Sequence, residues 1–156
     1  MTELLFEKNH TCAVTGHRIM NSNFDSNILR TVFTNLIKRD YNTFLIGMAI
    51  GFDTLCFKVL EELRKEYQIK IIACLPCPEQ ADRFNDLQKK EYERLKESAD
   101  DKILLSYKYT PDCMKKRNEF MVKNSSALVS YVRREKSGSK QTLKLAKKYG
   151  LTVIEL

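Results

Sequence analysis

The chain has 156 residues, of which 43% are hydrophobic and 30% are charged. This length accommodates one domain with a substantial core and is too short for two ordinary domains, so we expect a single domain over residues 1–156. No apolar run is long enough to cross a membrane, and the acidic residues of the N-terminal MTELLFEKNH do not fit a signal peptide, so we expect a cytoplasmic protein without membrane contact.

The chain is basic, with a formal net charge of +7. Such a charge permits binding of phosphates or nucleic acid, but dispersed lysines more often form a solvated surface. Lys140, Lys144, Lys147 and Lys148 recur at helical spacing, which is typical of an outward-facing helix surface. The charge alone therefore does not predict a nucleic-acid groove.

The five cysteines do not indicate a disulfide scaffold, because their number is odd and their density is low. Cys74 and Cys77 form a C-x-x-C, but the motif ends an apolar strand and is followed by a proline. A structural zinc site needs a second ligand pair, and a redox motif is expected at the start of a helix. We therefore predict neither a metal nor a cofactor.

Short apolar segments alternate with amphipathic ones along the chain. The apolar segments predict strands over 11–15, 43–48, 69–75, 102–106, 127–132 and 152–156. The amphipathic segments predict helices over 28–37, 52–63, 80–98, 111–125 and 139–149. This alternation is typical of a Rossmann-like, doubly wound α/β domain, whose mainly parallel sheet is covered by helices on both faces. Such domains bind ligands beyond the carboxyl ends of their strands.

The loop after the first strand, TGHR, has the residues of a phosphate or ribose site. Gly16 permits a sharp turn or a close approach to the backbone. His17 and Arg18 can donate hydrogen bonds to an anion, and arginine suits bidentate contact with phosphate. Thr15 ends the strand beside them. Taken alone, the loop is better explained as an ordinary turn with a surface arginine, and the chain lacks the G-x-G-x-x-G dinucleotide fingerprint.

The loops after the second and third strands add further candidates. Gly47 and Gly51 bound the second loop and leave room for an approach to the backbone. Asp53 is most simply explained as a helix-start residue that interacts with the helix dipole, and a hydrogen bond to a ribose hydroxyl is the alternative. Pro76 begins the third loop, and we predict that it also contacts the ligand.

The loop after the fifth strand, SGSKQT, is the strongest phosphate candidate. Ser137, Gly138 and Ser139 lie where a helix is predicted to begin, and the free amides of a helix N-terminus favour an anion. The hydroxyls of Ser139 and Thr142 add donors. The alternative is an ordinary serine cap.

Arg117 and Asn118 occur on a helical face that also carries Met114 and Met121. That face is expected to pack inward, where an unpaired charge is costly. Two interpretations stay open: a structural ion pair, with Asp53 as one possible partner, or a pair of polar side chains that reaches the ligand edge of the sheet.

These segments together resemble the YpsA-like family of the SLOG superfamily over nearly the whole chain. The motifs that carry the resemblance are TGHR, GMAIGFDTL, IIACLPCPEQADRF, RNEFMVKNSSALVSYV and SGSKQTLKLAKKYG. The resemblance implies a single Rossmann-like domain that binds a nucleotide or nucleotide-derived ligand at the strand ends. It also implies a homodimer, by analogy with SLOG relatives.

This chain departs from the motifs of the family and superfamily at three positions. Ser137 stands where the Gly-Gly-Thr phosphate loop of the family has its first glycine, and Phe84 is the aromatic candidate where the family often has a tryptophan. The nucleotide-cleaving Lonely-guy enzymes of the superfamily have a glutamate three residues after the threonine of their motif, where this chain has Thr142. Their glycosidic-bond cleavage is therefore not implied.

Three functions follow in order of preference. The first is non-catalytic binding or sensing of a nucleotide-derived ligand. The second is hydrolysis of an N-glycosidic or phosphate bond, with Asp53 or Asp82 as the carboxylate and Arg117 holding phosphate. The third is binding of single-stranded nucleic acid, which the charge permits, although the sequence shows no evident platform of alternating aromatic and basic residues.

Overall fold

The structure is a computed structural model, and it describes residues 6–156. Its six strands are β1 (Thr11–Gly16), β2 (Thr43–Ile46), β3 (Lys70–Leu75), β4 (Asp101–Leu104), β5 (Ala127–Tyr131) and β6 (Thr152–Glu155). Its five α-helices are α1 (Asn27–Lys38), α2 (Phe52–Arg64), α3 (Asp86–Ser98), α4 (Cys113–Lys123) and α5 (Gly138–Lys148). A short 3-10 helix, Lys8–His10, precedes β1.

The strands form one parallel sheet in the order β4-β3-β2-β1-β5-β6. The chain builds outward from β1 to β4, then crosses to the other side of β1 and continues with β5 and β6. The strand order therefore reverses between β1 and β5, and a crevice opens there at the carboxyl ends of the strands. This topology confirms the doubly wound α/β fold predicted from the alternating pattern.

The strands read as continuous apolar runs because both faces of the sheet are covered. Cys12 and Val14 of β1 point into a core beneath α1, α2 and α3, whereas Ala13 between them points into a second core beneath α4 and α5. The first core is the larger and contains most of the buried aromatic rings. Within residues 6–156, no helix is long and apolar enough to cross a membrane.

The start of α3 differs from the prediction. The sequence pattern extended this helix back to residue 80, but it begins at Asp86 because Asn85 caps it. The Asn85 side chain accepts a hydrogen bond from the Gln88 amide (2.9 Å), and the Gln88 side chain accepts one from the Asn85 amide (3.0 Å). This capping box stops the helix and leaves 77–84 as turns beside the ligand edge of the sheet.

Candidate functional site

A cavity of about 330 Å³ lies at the reversal between β1 and β5, and it brings together most of the positions predicted from the strand ends. The predicted residues that line it are Thr15, Gly16, His17, Arg18, Gly47, Asp53, Arg117, Asn118, Ser137, Gly138 and Ser139. Arg134 and Lys136, which the sequence analysis did not single out, line it as well. The cavity therefore carries four cationic side chains and one carboxylate, and we call it the switch-point cavity.

His17 has a different role from the expected anion donor. Its Nε2 accepts hydrogen bonds from the backbone amides of Arg133 (2.6 Å) and Arg134 (3.3 Å), so the neutral ring has its proton on Nδ1. Burial and the nearby charges of Arg134 and Arg133 lower the pKa of His17, which favours this neutral form. His17 thus fixes the first turn of the loop after β5, and sequence pattern does not reveal such an acceptor role.

Gly47 is in contact with the guanidinium of Arg117. A Cβ at position 47 would lie 2.8 Å from Arg117 Nη1, so only glycine admits this side chain. Nη1 donates to the Gly47 carbonyl oxygen, and the Gln80 Nε2 donates to the same oxygen at 2.9 Å. Gln80 was missed from sequence because it reaches back over a span that no local pattern indicates. The close approach that Gly47 allows is therefore an approach by the protein itself.

Arg117 is a buried cation without a direct counter-ion among residues 6–156. Its side chain is 6% exposed, and its Nε donates to Asn118 Oδ1 at 2.8 Å. Among residues 6–156, no carboxylate forms an ion pair with it within 4.0 Å. Burial lowers the pKa of Arg117, and the negative charge of Asp53 opposes that shift. Of the two interpretations left open, the direct ion pair with Asp53 is not formed.

Asp53 is 7% exposed and lies in the first turn of α2, as expected for a helix-start residue. It does not cap the helix: the N-cap is Gly51, whose φ is +81°, and a Cβ there would collide with the Arg18 carbonyl oxygen. Asp53 Oδ2 instead accepts a hydrogen bond from the Ala49 amide at 3.1 Å. Burial raises the pKa of Asp53 to about 6, and the positive charge of Arg117 opposes the rise.

The N-terminus of α5 forms the opposite wall of the switch-point cavity. Ser137 is the N-cap, and its Oγ accepts a hydrogen bond from the Lys140 amide at 3.1 Å. The amides of Gly138 and Ser139 come next, and the first residues of a helix have no intrahelical acceptor. A Cβ at position 138 would meet nothing within 4 Å, so this backbone is open to a ligand.

Three predicted positions lie outside the switch-point cavity. The hydroxyl of Thr142 turns back along α5 and donates to the Gly138 carbonyl oxygen at 2.9 Å. Pro76 is buried and lines neither this cavity nor the two that adjoin it, and Gly51 lines the adjoining cavity between α2 and α3.

A second cavity of about 540 Å³ continues from the first across Arg18, Ala49 and Arg117, and we call it the middle cavity. Asp82 lines this middle cavity and Asp53 lines the switch-point cavity, so the two carboxylates considered for hydrolysis open onto different spaces.

Cys77 and Cys113 place their sulfurs 3.9 Å apart, and both are fully buried. Burial raises the pKa of the Cys77 thiol to about 11, so it is protonated at neutral pH. In the part of the chain that the structure describes, no group of three or more His, Cys, Asp or Glu side chains could hold a metal ion.

The fold and the cavity define a Rossmann-like domain with a cationic crevice at its switch point. The model of the YspA SLOG family matches residues 12–152, and the chain belongs to that family. It is 31% identical over 134 residues to the uncharacterized SPbeta prophage-derived protein YoqJ of Bacillus subtilis (strain 168), covering 78% of each chain.

Among solved structures, the fold is similar to that of DNA processing protein A (DprA) from two bacteria. The TM-score is 0.69 at 16% identity for the Streptococcus pneumoniae protein and 0.68 at 19% identity for the Helicobacter pylori protein. Both alignments cover 95% of this chain, which spans 50% and 65% of those longer chains. The Helicobacter structure describes a single-stranded DNA binding mode of that protein.

Proposed function

We propose that the switch-point cavity binds a nucleotide or a nucleotide-derived small molecule through its phosphate. The observation that carries the proposal is Arg117: a buried guanidinium that lines the cavity and lacks a carboxylate partner within ion-pair distance among residues 6–156. Burying such a charge is costly unless a ligand or a partner compensates it. A phosphate would supply the missing negative charge and would accept from the guanidinium N–H groups that do not already donate to Gly47 or Asn118.

The wall opposite Arg117 supports the same ligand. The amides of Gly138 and Ser139 point outward from the start of α5, where the helix dipole favours an anion. Arg18, Arg134 and Lys136 add positive charge around the opening. A phosphate held between Arg117 and these amides would receive charged donors from one side and backbone donors from the other.

The proposal is tested by a thermal-shift screen against nucleotides, NAD, ADP-ribose and cyclic dinucleotides. A ligand at about 100 times its dissociation constant adds roughly 2.7 kcal/mol of stability, which a shift in Tm detects. We expect at least one nucleotide to bind.

Two variants at one position separate the backbone from the side chain. Ser139→Ala removes only a hydroxyl. Ser139→Pro removes the backbone N–H as well, and proline is tolerated in the first turn of a helix. We expect the affinity for the nucleotide to fall more in Ser139→Pro than in Ser139→Ala. A screen without any hit, or equal affinities in both variants and the wild type, would contradict phosphate binding at α5.

Binding of single-stranded nucleic acid is the second candidate, and one observation favours it. Tyr107 and Tyr109 are 94% and 59% exposed on either side of Lys108, and Tyr109 lines the middle cavity. Exposed aromatic rings beside cations are the usual platform for stacked bases. The sequence pattern does not indicate this pair of rings, because they lie in a loop without periodicity.

Anisotropy with a labelled oligothymidylate tests this second candidate. If bases stack on Tyr109, Tyr109→Ala weakens binding by about 1–3 kcal/mol, and binding weakens steeply with salt. Tyr149→Ala is the matched control, because Tyr149 is an exposed tyrosine that lines none of the cavities described above. Equal binding by both variants, or affinity independent of salt, would exclude this mode.

A further inference from the structure

A third cavity, of about 360 Å³, lies between α2 and α3 and adjoins the switch-point cavity. We propose that it holds the heterocyclic base of the same nucleotide, so that the ligand lies across the sheet edge from α5 to α3. This inference rests on the proposed function and extends it, because it assigns a second subsite and names the chemical class that the subsite takes. We call this space the α2–α3 cavity.

The α2–α3 cavity is continuous with the phosphate side of the site. Arg18, Ala49 and Asp53 line both cavities, so they mark the junction between them. Small-molecule sites usually enclose about 300–1,000 Å³, so each of the two cavities is at the lower limit of that range. A ligand with two chemically different ends, joined by a polar linker at Asp53, fits the two cavities together.

The walls of the α2–α3 cavity suit a flat apolar ring. Met20, Ile50, Leu55 and Phe84 line it, and thioether and aromatic side chains pack well against aromatic ligands. The Phe84 ring meets the Tyr92 ring edge to face, with centroids 5.8 Å apart and planes at 84°, which fixes its orientation. A second phosphate or a sugar placed here would lose its hydration against apolar walls.

The α3 rim of the cavity offers a donor and no unpaired carboxylate, and Asp53 lies instead at the junction with the switch-point cavity. The Oε1 of Gln88 accepts from the Asn85 amide, which orients the side chain and leaves its NH₂ group as a donor. Glu91 is the carboxylate on this rim, and it forms an ion pair with Lys58 at 2.6 Å. A nucleobase has ring nitrogens and carbonyl oxygens at its edge that can accept from Gln88 while its faces contact the apolar walls.

The test compares ligands with and without a base. Calorimetric affinities are measured for ribose 5-phosphate and for the four common nucleoside 5′-monophosphates. We expect at least one monophosphate to bind on the order of tenfold more tightly than ribose 5-phosphate, because stacking of one base contributes that much. Equal affinities for all five would overturn the base subsite while leaving phosphate binding intact. No binding by any of the five would overturn the base subsite, and a thermal-shift screen without any hit beside it would overturn the proposed function as well.

Matched variants locate the base. Leu55→Phe fills the α2–α3 cavity, whereas Leu87→Phe makes the same change at a site on α3 that is 78% exposed and lines none of these cavities. We expect Leu55→Phe to bring the affinity for the monophosphate down to that of ribose 5-phosphate, and Leu87→Phe to leave both affinities unchanged. Equal weakening of both ligands by Leu55→Phe would overturn the assignment.

Gln88→Glu tests the base subsite without filling the cavity, so the test does not depend on the folding of Leu55→Phe. Glutamate keeps the acceptor of the capping box and removes the amide donor. We expect the variant to retain the melting temperature of the wild type, to bind ribose 5-phosphate normally and to lose several-fold affinity for the monophosphate. Unchanged affinity for the monophosphate in both Leu55→Phe and Gln88→Glu would overturn the proposal.

Discussion

Two loops border the switch-point cavity, and the protein holds them in different ways. The loop after β2 is fixed by buried side chains: Arg117 and Gln80 donate to the Gly47 carbonyl oxygen, and Asp53 accepts from the Ala49 amide. The loop after β5 is exposed from residue 133 to 136, and His17 holds its first turn through one ring nitrogen.

The two loops therefore have different roles, one as a rigid part of the site and one as an adjustable part. Buried polar contacts over-determine the loop after β2, so the loop holds Arg117 of α4 and Asp53 of α2 in a fixed arrangement before any ligand arrives. The loop after β5 supplies exposed cations and free amides, which can adjust to a ligand at small cost. We therefore expect substitutions in the first group to change stability and binding together, and substitutions in the second to change binding alone.

The largest effect on nucleotide binding is expected from Arg117→Met. Methionine keeps most of the side-chain volume but leaves the Gly47 carbonyl with fewer donors and Asn118 Oδ1 without one. The loss of both hydrogen bonds outweighs the relief of an unpaired buried charge, so we expect the free energy of unfolding, measured in urea, to fall by about 1–2 kcal/mol. We also expect nucleotide binding to be lost.

Arg134→Met is the control for this comparison. Arg134 lines the same cavity, but its side chain is exposed on the loop after β5. We expect its unfolding free energy to change by less than about 0.5 kcal/mol and its affinity for the nucleotide to fall. Equal destabilisation by the two variants would show that the loops are held alike.

The next largest effect is expected from Asp53→Asn. Because the pKa of Asp53 in the folded protein is about 6, the folded state keeps a proton between pH 4 and pH 6 that the unfolded state releases. Stability therefore falls as the pH rises through this window, and the full cost, up to about 3 kcal/mol, is present above pH 6. Asparagine keeps an acceptor for the Ala49 amide and carries no charge.

We expect Asp53→Asn to unfold at higher urea than the wild type at pH 7.5 and at the same urea concentration at pH 4. We also expect weaker binding of the nucleotide, because the junction of the two cavities loses its carboxylate. A variant less stable than the wild type at pH 7.5 would mean that the attraction between Asp53 and Arg117 outweighs the cost of burial.

Sequence pattern was sufficient for the parts of this molecule that depend on local periodicity. The apolar runs located the strands, and the parallel order brought their ends together, so residues as far apart as Thr15 and Ser139 were predicted to share a site. The contacts that shape the site depend on distant packing instead. Position 16 requires a glycine because the Phe52 ring packs against its backbone. Position 47 requires one because the Arg117 guanidinium packs there. Neither partner is indicated by the residues around the glycine.

The smallest effect is expected from His17→Gln. The pH dependence of stability that His17 causes has the opposite sign to the one that Asp53 causes. Because the folded protein lowers the pKa of His17, the unfolded state binds a proton first as the pH falls below about 6.5. The stability that the neutral ring contributes is present above this value and is lost on acidification. Protonation of Nε2 would also turn this acceptor into an N–H donor that faces the amide N–H groups of Arg133 and Arg134.

The two titrations are separated by measuring His17→Gln in the Asp53→Asn background. There we expect the parent to lose stability between pH 7.5 and pH 5.5, and His17→Gln to lose less, because glutamine offers a neutral acceptor at every pH. His10→Gln is the control, since His10 precedes β1 at the opposite edge of the sheet and bonds to the Asp40 carbonyl oxygen. If His10→Gln removed the slope and His17→Gln did not, the loop after β5 would be held by something other than the His17 ring.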